Sequence, residues 1–572
     1  VASIVPVVFD DCLGWLHPAS GGRGVVLCSA FGYEELCSRR TMHDLAGSIA
    51  RAGLPVLRFD YHGTADSAGS GEDPDRVATW IANIGAAIDL IRRETGVTDV
   101  AVVGLRLGAL LAARATAGRS DISALALLAP PVSGRGYMRE LKALAHLLVA
   151  PSQPAASFDG LEVAGFRLAR QTIDALSRLD WPEVPMTGAR RVLLMQPDNA
   201  PVKPLGGRLG ACAPVIEEMP FEAYAQMMCD PTASMVPTEA IVGLTNWLAL
   251  DAPAGAAKPI DRLKPVLVGG NYVETPAMLG ESGQLTGIFC RALTGRQPRK
   301  AVVFVNAGAI YHIGWARMHV EMARELARAG IASLRFDLAG IGDSEAPSDG
   351  VPPLYGAVSA DVGAAIDWLE ARGIRDVTVF GTCSGAYQAF HAAVSDRRIA
   401  RIALVNQLCF IWGPTYAMQL EAWRRTKATE VAARSDAADT KIAALSARGL
   451  LARVIPPAKH VVKFALRHAT NLFVRGDVFW SGKNSVERWF EDLSRRGTKV
   501  LLVYGANDPG LDELERYMGP EGRRATALPG VTKRLIENTD HTFTPTEARR
   551  RLREMLHAFV TDAKSAPASA LR

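Results

Sequence analysis

At 572 residues, 48% of them hydrophobic and 22% charged, the chain is too long for one hydrophobic core, so two large α/β domains, or one domain with a big insertion, are expected. Its 64 basic and 59 acidic residues leave a formal net charge of +5, which excludes a nucleic-acid-scale electrostatic footprint. The eight cysteines include no C-x-x-C pair, so neither a zinc site nor a disulfide framework is expected; no metal or cofactor is implied, and the usage fits a reducing compartment.

In chain order, RGVVLCSAFG from Arg23 reads as a buried strand and turn, MHDLAGSIARAG as an amphipathic helix, LPVLRFD as a strand, VATWIANIGAAIDLIRRE as a helix and VAVVG as a strand. The second half repeats this with AVVFVNAG, WARMHVEMARELARAG, IASLRFD, a helix around GAAIDW, and VTVFG, followed by the strands RIALVNQL and KVLLVYG. ARAGLPVLRFDYHGTADS from Ala50 aligns with ARAGIASLRFDLAGIGDS from Ala327 at a constant offset of 277, pairing Asp60 with Asp337 and Asp66 with Asp343. Such alternation predicts an α/β architecture of two tandem domains, each a mostly parallel sheet with helices on both faces. The expected boundaries are 1–250, a linker at 251–263, a second domain at 264–562 with a helical cap inserted at 413–495, and a disordered tail at 563–572. The longest uncharged run, Ile402 to Leu420, is interrupted by Asn406, Gln407, Pro414 and Gln419, so it reads as core rather than as a transmembrane segment. No charged and then apolar leader opens the sequence, and the expected localisation is cytoplasmic.

The stretch VFGTCSGAYQAF places G-x-C-x-G between a strand and a helix. Gly381 and Gly385 remove side chains from a sharp reversal that thrusts Cys383 out above the sheet, at a helix N-terminus that favours a thiolate. Ser384 is the competing nucleophile, but its neighbours two positions away are Thr382 and Ala386, so the glycine spacing selects Cys383. On these features each half resembles an α/β-hydrolase, and the second resembles the subset with cysteine in the nucleophile elbow, as in dienelactone hydrolases and polyhydroxyalkanoate synthases. More loosely, both halves are similar to serine-aminopeptidase-like hydrolases, including those found beside exosortase genes. The resemblance implies the order nucleophile, acid, histidine. Asp508 follows the strand KVLLVYG and His541 lies in RLIENTDHTF, which implies Cys383 as nucleophile, His541 as general base and Asp508 as its orienting acid. Asp540 is the second-choice acid. The implied oxyanion hole takes the Ser384 N–H and one from Gly308 or Ala309. His312, in the same loop, is a candidate substrate contact or else a surface residue.

The first copy has Arg106 where the second has Cys383, Ala233 where it has His541, and only a weak acid counterpart in Asp198. It is expected to be an inactive fold used for packing, binding or scaffolding. Arg106 either binds a carboxylate or phosphate or is paired with an acid such as Asp60 or Asp66. In the expected cap, Lys459, Lys463 and Arg467 lie four residues apart, forming a solvated helix face or a landing strip for an anionic carrier such as coenzyme A or an acyl carrier protein, or for a membrane surface. The implied activity is ester or thioester cleavage through an acyl-Cys383 intermediate, with the acyl group passed to water or an acceptor. A catalytically inactive binding or scaffolding protein is the alternative, and a peptidase a third.

Overall fold

A computed structural model of the chain describes residues 4–148, 158–182, 189–197, 216–255, 265–294, 297–347, 360–413 and 484–562. In the first half an eight-stranded sheet runs, in spatial order, Val5–Phe9, Cys12–His17, Val56–Phe59, Arg23–Cys28, Asp99–Leu105, Ile122–Leu128, Arg191–Gln196 and Ile216–Pro220. The first three pair antiparallel and the rest parallel. The second half repeats the plan with nine strands, Leu267–Val268, Tyr272–Leu279, Leu285–Ala292, Ala332–Phe336, Lys300–Val305, Asp376–Thr382, Ile399–Val405, Lys499–Gly505 and Val531–Ile536.

The parallel strands are apolar along their length because helices cover both faces. Every residue of Ile122–Leu128 is buried. In the first half Arg76–Thr95 and Leu107–Thr116 cover one face, and Tyr33–Arg51 with Thr238–Ala249 the other. The second half is covered by Ala360–Glu370, Ser384–Ser395 and Ser485–Arg495 on one side and by Met318–Arg328 and Thr546–Thr561 on the other. Among the described residues no helix is long and apolar enough to cross a membrane.

Two features differ from expectation. Each sheet opens with an antiparallel hairpin that the apolar runs did not predict; the first turns at Asp10 and Asp11, both with positive φ (45° and 59°), which suits a tight primed turn. The helix Ser485–Arg495, placed within the expected cap, instead packs Val486, Phe490 and Leu493 into the sheet core with no exposed surface. Asn484 caps it by accepting the Glu487 N–H at 2.9 Å. The remainder of the expected cap, residues 414–483, and the tail 563–572 lie outside the described residues, as does most of the expected linker.

The halves meet through their repeated motif. Arg58 of the first half donates to Asp343 of the second at 2.5 Å, and its equivalent Arg335 donates to Asp66, the equivalent of Asp343, at 3.0 Å. Arg40 donates to the Ser344 carbonyl at 2.7 Å, and its equivalent Arg317 donates to the Ser67 carbonyl at 2.9 Å. Leu36 and its equivalent Ile313 share one apolar cluster between the halves. Contacts in which i meets j and the equivalent of j meets the equivalent of i define an isologous interface, here built within one chain. Asp66, Arg335, Asp343 and His312 are completely buried there, and the two aspartates take their ion-pair partners from across the boundary.

Candidate active site

The strand Asp376–Thr382 ends at Cys383, whose backbone (φ 56°, ψ −117°) is strained for a non-glycine residue, and the helix Ser384–Ser395 begins at the next residue. Only glycine fits on either side. A Cβ on Gly381 would lie 2.1 Å from the Gly385 carbonyl oxygen, and one on Gly385 would lie 2.4 Å from that of Asn306. Cys383 is half-buried, whereas Ser384 is 1% exposed and its hydroxyl accepts the Gly308 N–H at 2.8 Å. The six other described cysteines are buried, and burial pushes each thiol's pKa up.

His541 comes from the loop before the final helix, with its Nδ1 2.6 Å from Asp508 Oδ2. Asp508, after the strand Lys499–Gly505, is fixed in turn by the Gly510 N–H, which donates to Oδ1 at 2.8 Å. Burial opposes protonation of His541, but its bond to Asp508 and the neighbouring Cys383 outweigh that cost and push its pKa up to about 10. Cys383 lies close enough to the imidazole to raise its pKa, and His541 Nε2 is enclosed without another protein partner. The arrangement therefore favours a protonated imidazole beside Cys383 at neutral pH. The second-choice acid, Asp540, is committed to its own turn, accepting the Thr544 N–H at 2.7 Å.

Asn406 was not anticipated. It sits at the end of Ile399–Val405 with φ 47°, donates to the His541 carbonyl at 2.8 Å and accepts the Gly505 N–H at 2.8 Å. One side chain thus ties the acid's strand to the histidine's loop. The only signal for it was a polar residue straight after a buried strand.

Three expectations need correction. The Gly308 N–H is already satisfied by Ser384 Oγ, which leaves the Ser384 and Ala309 N–H groups as the candidate oxyanion donors. His312 neither contacts the elbow nor faces solvent: its ring is wholly buried between Asp337 (2.7 Å) and Asp66 of the first half (2.6 Å). Burial opposes the charge on His312, but the two carboxylates prevail and push its pKa up to about 10. Arg106 repeats the elbow geometry (φ 54°, ψ −120°), yet its guanidinium is bound to Glu34 at 2.6 Å, to Glu140 and to the Ala129 carbonyl, not to Asp60 or Asp66 and not open to a ligand. Asp198, Lys459, Lys463 and Arg467 lie outside the described residues.

A family model described as serine aminopeptidase, S33, matches residues 23–180, and one described as alpha/beta hydrolase family matches residues 302–554. No curated protein matches the chain. Solved structures similar to it include an alpha-beta serine hydrolase homologue from Coxiella burnetii, 15% identical over 51% of this chain and 97% of that one, with a TM-score of 0.29. An esterase from Pyrococcus furiosus is 13% identical over 50% of this chain and 90% of its own, with a TM-score of 0.31. The esterase domain of a Rhodothermus marinus protein is 14% identical over 50% and 97%, with a TM-score of 0.30. With one family model on each half, and with eight strands of the nine-stranded sheet in the same order as the eight of the other, the chain is a tandem of two α/β-hydrolase-fold domains.

Proposed function

We propose that the second half is an acyl-transfer enzyme in which Cys383 attacks the carbonyl carbon of an ester or thioester. The observation that carries this reading is the conjunction of a strained, outward Cys383 with His541 beside it and Asp508 bonded to the far nitrogen of that imidazole. Ser384 is a poor alternative, because its hydroxyl is buried and occupied by Gly308.

In the first step the Cys383 thiolate forms the S–C bond while the carbonyl oxygen becomes an oxyanion facing the Ser384 and Ala309 N–H groups. The tetrahedral adduct collapses with departure of the alcohol or thiol, which takes the Nε2 proton of His541. Water, or an acceptor alcohol or amine, then gives its proton to His541 Nε2 and attacks the acyl-Cys383 thioester, restoring the thiolate and imidazolium. Asp508 holds the imidazole orientation throughout and stabilises its charge. A cysteine acyl-enzyme is itself a thioester, so exchange with thioester donors and transfer to acceptors are both within reach of the same nucleophile.

Intact-protein mass after mixing the full chain with p-nitrophenyl esters or acyl thioesters tests the reading. An acyl adduct on the native chain that is lost in Cys383→Ala is expected. Absence of an adduct on the native chain, or its persistence in Cys383→Ala, overturns the proposal and favours a binding or scaffolding role for both halves.

A further inference from the structure

The segment after the equivalent strands Arg23–Cys28 and Lys300–Val305 takes different forms in the two halves. After Arg23–Cys28 the first half enters a helix at Tyr33, whereas after Lys300–Val305 the second half runs as an open loop through residues 306–314 and a single turn, Trp315–Arg317, before its helix starts at Met318. At the repeat offset, Tyr33 and Glu34 match Ile310 and Tyr311, so residues that are helical in the half without the candidate triad form a loop beside Cys383 in the half that has it.

What holds this loop open reaches into the other half. Asn306 Nδ2 donates to the Ile310 carbonyl at 3.0 Å and to Asp337 Oδ1 at 2.9 Å, while its Oδ1 accepts the Leu338 N–H at 2.7 Å. The His312 N–H donates to Asp337 Oδ1 at 2.7 Å. The His312 imidazolium then spans Asp337 Oδ2 and, from the first half, Asp66 Oδ2. Asp66 is held in place by Arg335, which donates to its other oxygen at 3.1 and 3.0 Å. A second first-half residue supports the loop directly: a Cβ on Gly308 would fall 2.8 Å from Thr232 Cγ2, so Thr232 packs against the glycine whose N–H bonds Ser384.

The geometry points to the first half as a positioning part of the second half's active site: Asp66, through His312, and Thr232, against Gly308, hold residues 306–312 where their backbone can stabilise an oxyanion at Cys383. This rests on the acyl-transfer reading above. It gives the half without the triad a task in the reaction, and it makes Asp66, His312 and Thr232 positioning residues, since none touches the reacting atoms. Oxyanion donors help only if they are placed before the charge develops. A loop freed from Asp66 must therefore be reordered at each acylation, a cost that falls on the rate rather than on substrate binding.

Two reactions of the same thiol separate this role from a structural one. Acylation by a p-nitrophenyl ester passes through an oxyanion, whereas alkylation by iodoacetamide displaces iodide from a saturated carbon and needs no such hole. In the full chain, Asp66→Asn is expected to slow release of p-nitrophenolate by about tenfold or more, short of the ~10²–10³ that deleting a donor costs, while the iodoacetamide rate and its pH midpoint stay unchanged. Equal acylation rates in the variant and the native chain, or equal proportional loss of both reactions, overturn the inference. If Asp66→Asn does not fold, Thr232→Ser carries the test, because it removes only the methyl and keeps the hydroxyl that bonds Asp230 Oδ1 at 2.5 Å. Slower acylation with unchanged alkylation supports the inference, and unchanged acylation overturns it. A native chain that forms no acyl adduct overturns the acyl-transfer reading instead, so the two failures are distinguishable.

Discussion

Raising the pH from 6.5 to 8.5 should weaken the junction between the halves, because His312 is charged when folded and neutral when unfolded across that window. Its pKa stands at about 10 against an ordinary 6.5. A base whose folded pKa is raised contributes stability that is fully present below 6.5 and lost as the pH climbs through 10. A titrating group contributes at most about 1.4 kcal/mol per pH unit, and the unfolded histidine is still half protonated at pH 6.5, so the expected loss over the window is about 2 kcal/mol. Other groups are separated by the variants. The six buried cysteines share the sign once unfolded thiols begin to ionise near pH 8.5, but equally in the native chain and the variants, and His17, His43 and His319, whose pKa values burial lowers, respond below 6.5. His541 shares the sign, although its ring is 30% exposed and its share is correspondingly smaller. Urea unfolding followed by tryptophan fluorescence at pH 6.5, 7.5 and 8.5 measures the slope in the native chain, in His541→Gln and in His312→Gln. The slope should survive His541→Gln, and the loss over the window should be smaller by about 2 kcal/mol in His312→Gln. A flat profile in the native chain, or an undiminished slope in His312→Gln, refutes the account of His312 as a buried imidazolium.

The reciprocal arginines give a companion comparison: Arg58→Met strips buried Asp343 of one cation, Arg335→Met strips both Asp66 and Glu274 of one, and each should cost roughly 3–5 kcal/mol or more in unfolding experiments. Asp343 then keeps Arg39 and Asp66 keeps His312, which stays protonated in the folded chain across this window, so the Arg335→Met deficit should be level between pH 6.5 and 8.5. Gly108→Ala places a Cβ 2.3 Å from the Cys28 carbonyl oxygen, matching the 2.4 Å clash with Asn306 in Gly385→Ala. Both variants should lose about 1–3 kcal/mol or more in thermal melts, but only Gly385→Ala should also lose acylation per folded molecule. His541→Ala should move the pH midpoint of iodoacetamide alkylation up toward the ~8.5 of an ordinary thiol; a midpoint equal to that of the native chain would show that Cys383 owes nothing to the imidazole.

The elbows and the parallel sheet were legible because they are local: a strand reads as a run of Val, Leu and Ile, and a sharp turn reads as glycines at fixed spacing. Among the candidates, Cys383 was picked out by the glycine spacing and Asp508 and His541 by their order along the chain, whereas Asn406, which ties the acid's strand to the histidine's loop, left only a polar residue straight after a buried strand. His312 was misread for a different reason. Its partners are Asp337, 25 residues on, and Asp66, 246 residues back, so no local rule separates it from an exposed loop histidine. Yet a signal for the interface stood in the repeat itself. The motif L-R-F-D-x-x-G-x-x-D-S is intact in both copies, while the residue at the elbow is arginine in one and cysteine in the other. The motif serves both copies twice over: its serine ties the strand's end to the opening hairpin within each half, and its arginine and second aspartate meet their equivalents across the boundary. Arg58 and Asp66 answer Asp343 and Arg335 across the boundary, so losing the motif from either copy would leave buried charges unpaired in both. The first half can therefore lack a nucleophile and a catalytic histidine, but without its half of this exchange neither domain would keep the other's charges neutralised.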